Sequence, residues 1–258
     1  VGVYDVLYTP PLFGQLGIDI DGESVNDNSG RSVAFNAAGN RIIIGANGNA
    51  GSAPYSGHAR IYDWDGSAWT QVGADINGEA GSDYSGWKVA INNAGNRVLV
   101  GAIYNTGNGY RAGHARMFSY DGTNWVRMGS DIDGENAEDE FSWSAAMNGA
   151  GSRVVISAYK NDGTGTNAGH TRIFDWDGTA WNQLGSDIDA EAAEDQAGYA
   201  VSMSDAGNRI AIGANYNDGA GTNSGHVRIY DWNGSSWAQV GSDINGEAAG
   251  DESGYSVS

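Results

Sequence analysis

Short apolar runs that alternate with polar residues, separated by glycine and asparagine, extend along the whole chain. Alternation with a period of two predicts half-buried β-strands, and the Asp-Ala-Gly-Asn and Asn-Gly sequences between runs predict tight turns. No segment has the period of an amphipathic helix. The pattern therefore predicts an all-β fold made of short strands. In residues 181–236, which we take as the reference segment, these runs are residues 181–188, 199–203, 209–213 and 226–232.

The same pattern recurs every 56 residues without insertion or deletion. Gly-His-x-Arg begins at Gly57, Gly113, Gly169 and Gly225, and a second marker, Asp-Ile, begins at Asp19, Asp75, Asp131, Asp187 and Asp243. A fixed period of this length indicates one supersecondary unit that is copied and stacked. Four antiparallel strands per unit are typical of a β-propeller blade. We name these strands a to d in chain order, beginning near residues 199, 209, 226 and 237.

The repeats predict a single β-propeller domain over residues 1–258. The blade repeats are about 13–68, 69–124, 125–180 and 181–236. Residues 237–258 and 1–12 would form a partial closing blade, because 1–6 resemble strand c, Phe13 begins a d-like strand, and 255–258 resemble strand a. Five blades with an incomplete closing blade is the favoured arrangement. A segment of a longer propeller or repeat array is the alternative.

Charge and composition exclude some partners. The chain has 32 acidic and 13 basic residues and a formal net charge of -19, which repels phosphate backbones and predicts no nucleic-acid partner. No stretch approaches the ~18 apolar residues of a membrane-spanning helix, so membrane insertion is not expected. There is no cysteine, and stability must come from packing, hydrogen bonds or ions rather than disulfides.

The motifs of strands a and b carry a family resemblance. Ser85-Gly86-Trp87 and Ala197-Gly198-Tyr199 are followed by the pairs Gly101-Ala102 and Gly213-Ala214, and Gly45-Ala46 is a further copy. These sequences resemble the FG-GAP repeats of integrin α-subunit propellers and, more closely, bacterial FG-GAP-like repeats of secreted and surface proteins. The resemblance implies a propeller located outside the cell or on its surface. The family's calcium loop between strands a and b is not matched here, because those turns hold at most one carboxylate, Asp205.

Carboxylates concentrate instead between the Asp-Ile marker and strand a. In an antiparallel blade these loops lie on one face, where hard oxygen ligands favour Ca²⁺. The alternative is a solvated acidic rim in which Asp27 and its equivalents cap turns. The candidate calcium ligands are Asp19, Asp21, Glu23, Asp27, Asp75, Glu79, Asp83, Asp131, Asp133, Glu135, Asp139, Asp187, Asp189, Glu191, Asp195, Asp243, Glu247 and Asp251.

Other chemistry-bearing residues are mostly locked to the repeat. The four histidines, His58, His114, His170 and His226, occupy one repeat position, which favours a structural hydrogen bond between strands over catalysis or zinc binding. Two arginines per repeat are expected to pair with carboxylates of the blades. Trp87 and Trp143 differ, because the equivalent positions hold Arg31, Tyr199 and Tyr255. They are the candidate ligand-binding residues for a carbohydrate or peptide.

These observations predict a non-catalytic extracellular or cell-surface binding and adhesion module. It would present its repeated acidic face, bridged by Ca²⁺, to a protein or polysaccharide. One alternative is a structural subunit of a surface filament or sheath that self-assembles by strand complementation. Another is a glycan-active propeller enzyme, which would need one blade with a unique acid and base. The sequence patterns alone identify no such blade, and no enzymatic activity is predicted.

Overall fold

Four β-sheets follow one another along the computed structural model, which describes residues 14–258. The first contains β1 (Ser29–Phe35), β2 (Arg41–Ala46), β3 (His58–Trp64), β4 (Trp69–Gln71) and β5 (Ile76–Asn77). The second contains β6 (Ser85–Ile91), β7 (Arg97–Ala102), β8 (His114–Tyr120), β9 (Trp125–Arg127) and β10 (Ile132–Asp133). The third contains β11 (Ala145–Met147), β12 (Arg153–Ala158), β13 (His170–Trp176), β14 (Trp181–Gln183) and β15 (Ile188–Asp189). The fourth contains β16 (Ala200–Met203), β17 (Arg209–Ala214), β18 (His226–Trp232), β19 (Trp237–Gln239) and β20 (Ile244–Asn245).

This architecture confirms the predicted all-β, propeller-like arrangement of repeated antiparallel blades. Each sheet takes strands a, b and c in chain order and ends with strand d, so the sheets span 29–77, 85–133, 145–189 and 200–245. These limits are offset from the sequence repeats, which begin at strand d. The c-like strand predicted at 1–6 and the d-like start at Phe13 lie outside the described residues. No helix in residues 14–258 is long and apolar enough to cross a membrane.

Strand d is broken in every blade, which corrects the continuous strand predicted over 181–188. Its first part pairs with the end of strand c, as in Trp176 opposite Trp181, and its second part pairs with the start, as in His170 opposite Asp189. Gly185 lies between the two parts with φ +81°, a left-handed conformation that interrupts extended backbone. The break brings the second part of strand d beside the histidine that opens strand c.

The apolar core lies between blades, not within one sheet. Ile43 and Ile61 of the first blade pack with Val89 and Val98 of the second, and the same arrangement recurs between the second and third and between the third and fourth blades. Within residues 14–258, no other blade covers the opposite face of the first blade. Val33 on that face is 53% exposed, whereas its equivalent in the second blade, Val89, is 3% exposed. Blade-to-blade contact therefore supplies most of the hydrophobic stabilisation.

Two sets of loops share one face of the molecule. Ala46 at the end of strand b is opposite His58 at the start of strand c, which is opposite Asn77 at the end of strand d. The b-to-c and d-to-a loops thus emerge together, and this face carries the acidic loops, as predicted. The a strands of adjacent blades also contact each other, β1 with β6, β6 with β11 and β11 with β16, so they line a common axis.

Candidate functional site

A pocket of about 270 Å³ lies on this axis and is lined by the same strand a positions of successive repeats. Trp87 and Trp143, the two predicted ligand-binding residues, are brought together here with ring centroids 5.0 Å apart. Tyr199 lies 5.5 Å from Trp143, and Tyr255 lies 4.9 Å from Tyr199. Four aromatic rings from successive repeats therefore form one continuous wall. The remaining lining residues are Arg31, Ser32, Lys88, Ser144, Ala200, Val201, Ser256 and Val257.

The axial pocket is positively charged in a strongly acidic protein. Its charged side chains are Arg31, whose guanidinium carbon lies 3.8 Å from the centre of a Trp87 ring, and Lys88, which is half-buried. Neither forms an ion pair with a carboxylate of residues 14–258. Burial lowers the pKa of Lys88, and the nearby charge of Arg31 lowers it further. The pocket can therefore receive a negative group next to an aromatic surface. The sequence pattern did not identify either cation as a candidate, because their proximity depends on the arrangement of blades around the axis.

A second cluster breaks the repeat symmetry directly behind this wall. Glu140, 2% exposed, accepts hydrogen bonds from the hydroxyl of Tyr159 at 3.1 Å and from Nζ of Lys160 at 2.8 Å. The Tyr159 ring centroid lies 4.2 Å from that of Trp143. Burial raises the pKa of Tyr159, and the charge of Glu140 raises it further, so its hydroxyl remains a donor. Glu140 itself does not line the axial pocket.

This cluster corrects in part the expectation that no blade has a unique acid and base, because Lys160 has no lysine at the equivalent positions of the other repeats. The position of Glu140 holds Tyr84 in the second repeat and Gln196 in the fourth, but again a glutamate, Glu252, in the partial closing blade. The position of Lys160 holds tyrosine in the second and fourth repeats. The backbone is also unusual here, because Ser142 has φ +76° where every other repeat has glycine. Its hydroxyl donates to the carbonyl of His114 at 2.9 Å, which helps to hold that conformation. At the axial pocket and this cluster, deviations from the repeat were the informative signal.

The histidines occupy a different environment from the one predicted. Each is 1% exposed, and the Nε2 atom of every one lacks a hydrogen-bond partner among the described residues. The prediction that each histidine makes a structural hydrogen bond between strands is therefore wrong. Each imidazole instead forms a cluster with a glutamate and an aspartate, and such a cluster could hold a metal ion. The clusters are Glu23, His58 and Asp75; Glu79, His114 and Asp131; Glu135, His170 and Asp187; Glu191, His226 and Asp243.

Burial keeps these imidazoles neutral. It lowers the pKa of His114 to about 3 and that of His170 to about 4, and neighbouring arginines add to both shifts. Desolvation also lowers the pKa of His58 and His226. A neutral imidazole has a lone pair on one ring nitrogen, which is the form that binds a metal.

The remaining candidate calcium ligands have other roles or lie apart from these clusters. Asp83 is 2% exposed and accepts from the backbone N–H of Ala80 at 2.8 Å and from the amide of Asn105 at 3.2 Å. Asp27, Asp139 and Asp195 make the equivalent pair of bonds, which supports the turn-capping alternative for this position. No described histidine joins the remaining predicted carboxylates, which are Asp19, Asp21, Asp133, Asp189, Glu247 and Asp251.

The predicted pairing of repeat arginines with carboxylates is confirmed for most of them. Arg41 pairs with Asp63 at 2.5 Å through Nε, and Arg153 and Arg209 make the same pair in the third and fourth blades. Arg97 has Ser119 opposite it and donates only to the carbonyl of Gly151. The paired arginines stabilise strands b and c, and Arg209 remains 57% exposed.

Comparison with known proteins gives the fold and no family. No family model matches the sequence, and no curated protein matches it. A putative 6-phosphogluconolactonase from Bacteroides uniformis has TM-score 0.53 and 10% identity, covering 83% of this chain and 54% of its own. The periplasmic gluconolactonase of Pseudomonas aeruginosa has TM-score 0.55 and 10% identity, covering 83% and 56%. The complex of KlAtg21 with the coiled coil of AgAtg16 has TM-score 0.56 and 12% identity, covering 83% and 57%.

The chain spans a little over half the length of these structures. At such low identity the likeness establishes a shared propeller architecture alone. It nevertheless contradicts the prediction of a non-catalytic adhesion module, because two of these propellers are named as lactonases and none is named as an adhesin. The prediction of no enzymatic activity is corrected on the same ground. An FG-GAP family assignment is not confirmed.

Proposed function

We propose that the protein is a propeller enzyme that hydrolyses a sugar-derived lactone carrying a negative group, bound in the axial pocket. The observation that carries this proposal is the combination of Arg31 and Lys88, without carboxylate partners, with an aromatic wall in a chain of net charge -19. Apolar faces of sugar rings pack on aromatic surfaces, and a guanidinium binds phosphate or carboxylate through charge-assisted hydrogen bonds. The lactonase names among the structural neighbours support the substrate class.

The proposed chemistry needs one base and one anion-binding residue. Lys88 has a lowered pKa, so its neutral amine is accessible at lower pH than that of an ordinary lysine. In this mechanism the amine accepts a proton as water attacks the lactone carbonyl carbon. The ring carbon–oxygen bond then breaks, and the proton passes to the departing ring oxygen to give the open hydroxy acid. Arg31 holds the negative group of the substrate, and the rings of Trp87 and Trp143 hold the sugar.

Paired substrates test the role of Arg31. Arg31→Gln is expected to raise KM for 6-phosphogluconolactone about 10- to 100-fold, since a charge-assisted hydrogen bond contributes about 1.5–3 kcal/mol. The KM for uncharged gluconolactone should change less than about threefold, because that substrate has no negative group for Arg31 to bind. Arg111→Gln is the matched control, because Arg111 stacks on Tyr104 and Tyr110 outside the axial pocket. Equal effects of the two substitutions on the charged substrate would contradict the proposal.

Lys88 is tested by its pH profile. Lys88→Met is expected to lower kcat by at least about 100-fold while the fold is retained, because a positioned base contributes about 10²- to 10⁴-fold. In the wild type, kcat should rise with pH, because the neutral amine is the active form and its fraction increases through the lowered pKa of Lys88. Absence of turnover on both lactones in the wild type, or a pH profile that Lys88→Met does not alter, would overturn the mechanism.

The proposal also covers the relationship of the chain to known repeats and its location. We infer a distant relationship to FG-GAP-like repeats from the Gly-Ala and Gly-His-x-Arg motifs, and an extracellular or surface location from the same resemblance. The dense acidic loops are compatible with that location.

A further inference from the structure

We propose that three of the four Glu–His–Asp clusters bind a divalent transition metal ion of the Zn²⁺ class, and that the positive charge of Arg127 beside the second cluster prevents binding there. The proposal is independent of the axial pocket. In the first cluster, Nδ1 of His58 lies 3.7 Å from Oε2 of Glu23 and 3.7 Å from Oδ2 of Asp75. The corresponding separations in the third and fourth clusters are 3.7 to 4.0 Å.

These separations are too long for hydrogen bonds but close to those of metal ligands. Ligand atoms about 2.0–2.1 Å from a tetrahedral Zn²⁺ lie about 3.3 Å from one another. Each imidazole nitrogen lies within 4.0 Å of both carboxylates, and all three ligand atoms of a cluster lie within 4.8 Å of one another, so a modest side-chain adjustment would bring them around one ion. Nδ1 of His58 and Nδ1 of His226 have no hydrogen-bond partner among the described residues. A buried imidazole left in this state beside two carboxylates is costly unless a ligand completes the site.

The outer oxygens of each cluster are held in place by other side chains. Oε1 of Glu135 faces Nη1 of Arg172 at 3.4 Å, which leaves Oε2 directed to His170. Oδ1 of Asp187 accepts a hydrogen bond from Gln183 at 2.6 Å, which leaves Oδ2 directed to the same imidazole. Gln71 and Gln239 hold Asp75 and Asp243 in the same way. Such supporting contacts orient the ligands of metal sites.

The second cluster differs from the others at one position beside its carboxylates. Arg127 stands where the other clusters have glutamine, and its guanidinium contacts Oδ1 of Asp131 and lies 3.8 Å from Oε1 of Glu79. A fixed positive charge therefore bridges the two carboxylates of this cluster alone. That charge lies on their outer oxygens, offsets their negative charge and repels a metal ion.

The ligand set selects the class of metal. One neutral imidazole with two carboxylates suits Zn²⁺ and related first-row ions, whereas Ca²⁺ prefers six to eight oxygens. The sequence-based expectation of Ca²⁺ named both carboxylates of each cluster but excluded the histidine. The structure adds that nitrogen, so Zn²⁺ is expected to bind in preference to Ca²⁺.

Calorimetric titration of the chelator-treated full chain with Zn²⁺ tests this inference. The wild type should bind three ions, and Arg127→Gln, which installs the residue of the other repeats, should bind four. Asp243→Asn should bind two. Asp19→Asn is the matched control, because Gln15 holds Asp19 as Gln239 holds Asp243 but no described histidine joins it, and it should still bind three.

Co²⁺ gives an independent readout of the ligands. Bound Co²⁺ should show visible absorption of an imidazole-ligated ion, reduced by about one third in Asp243→Asn and unchanged in Asp19→Asn. Circular dichroism checks that each variant is folded. The inference is overturned if Arg127→Gln gains no site, if Asp19→Asn loses as much binding as Asp243→Asn, or if equimolar Ca²⁺ displaces Zn²⁺.

Discussion

Replacing Gly45 with alanine is expected to destabilise the protein by on the order of 3–5 kcal/mol, one of the largest losses available to a single methyl group. A Cβ atom at this position would lie 2.1 Å from the carbonyl oxygen of Gly86 and 2.9 Å from its carbonyl carbon. Both are backbone atoms of the next blade, so no side-chain rotation can relieve the clash. The first and second blades would have to separate, which would open the core that Ile43 and Val89 share.

Thermal unfolding measures this effect, with a control from the same repeat position. A loss of this size should lower Tm by roughly 10 °C for a chain of this length. Ser157 already places a Cβ at the equivalent position of the third blade, so Ser157→Ala adds no atom and should cost only about 1 kcal/mol, from its lost hydrogen bonds to Ser144. Similar Tm values for Gly45→Ala and wild type would show that blade contact does not limit stability.

Strands c and a show which parts of the fold could be predicted from sequence. Strand c was predicted correctly over His226–Trp232 because apolar and polar residues alternate between two clear turns. Strand a was predicted over 199–203 and is observed at Ala200–Met203. Its length differs among blades, from seven residues at Ser85–Ile91, where a bulge follows Ser85, to three at Ala145–Met147. The constant repeat period does not report this difference.

The candidate site also contains some residues that the sequence predicted and others that it did not. Trp87 and Trp143 were singled out because they depart from the repeat, and the structure places both in the axial pocket. Arg31 and Lys88 depart from it as well, but their proximity depends on the arrangement of blades around the axis. The histidines were set aside because they repeat, although a site can be built once per blade. Their partners, such as Glu23 and Asp75 for His58, are distant in sequence and meet only through the broken strand d.

Trp181→Ala is expected to cost about 3–4 kcal/mol, because this side chain joins the third blade to the second. Its indole Nε1 donates to the carbonyl of Met128 at 3.0 Å, and its ring packs against the core cluster between these blades. The ring also lies 3.5 Å from the place a Cβ would occupy at Gly129, so glycine permits its close approach. Trp125 and Trp237 make the same bond to the preceding blade at 2.9 and 3.0 Å. The repeated tryptophan is therefore a blade-to-blade connection.

Two further variants separate packing from hydrogen bonding at this connection. Trp181→Phe keeps an aromatic ring but loses the indole donor, and should cost about 1–2 kcal/mol. Trp69→Ala should cost less than half as much as Trp181→Ala, because Trp69 donates at 3.2 Å to the carbonyl of Leu16, whose side chain is 63% exposed. Urea unfolding with a constant m-value measures the differences. Of these two residues, only Trp181 has a complete described blade before it. Equal losses of unfolding free energy in Trp69→Ala and Trp181→Ala would therefore mean that the tryptophan stabilises its own sheet and not the contact between blades.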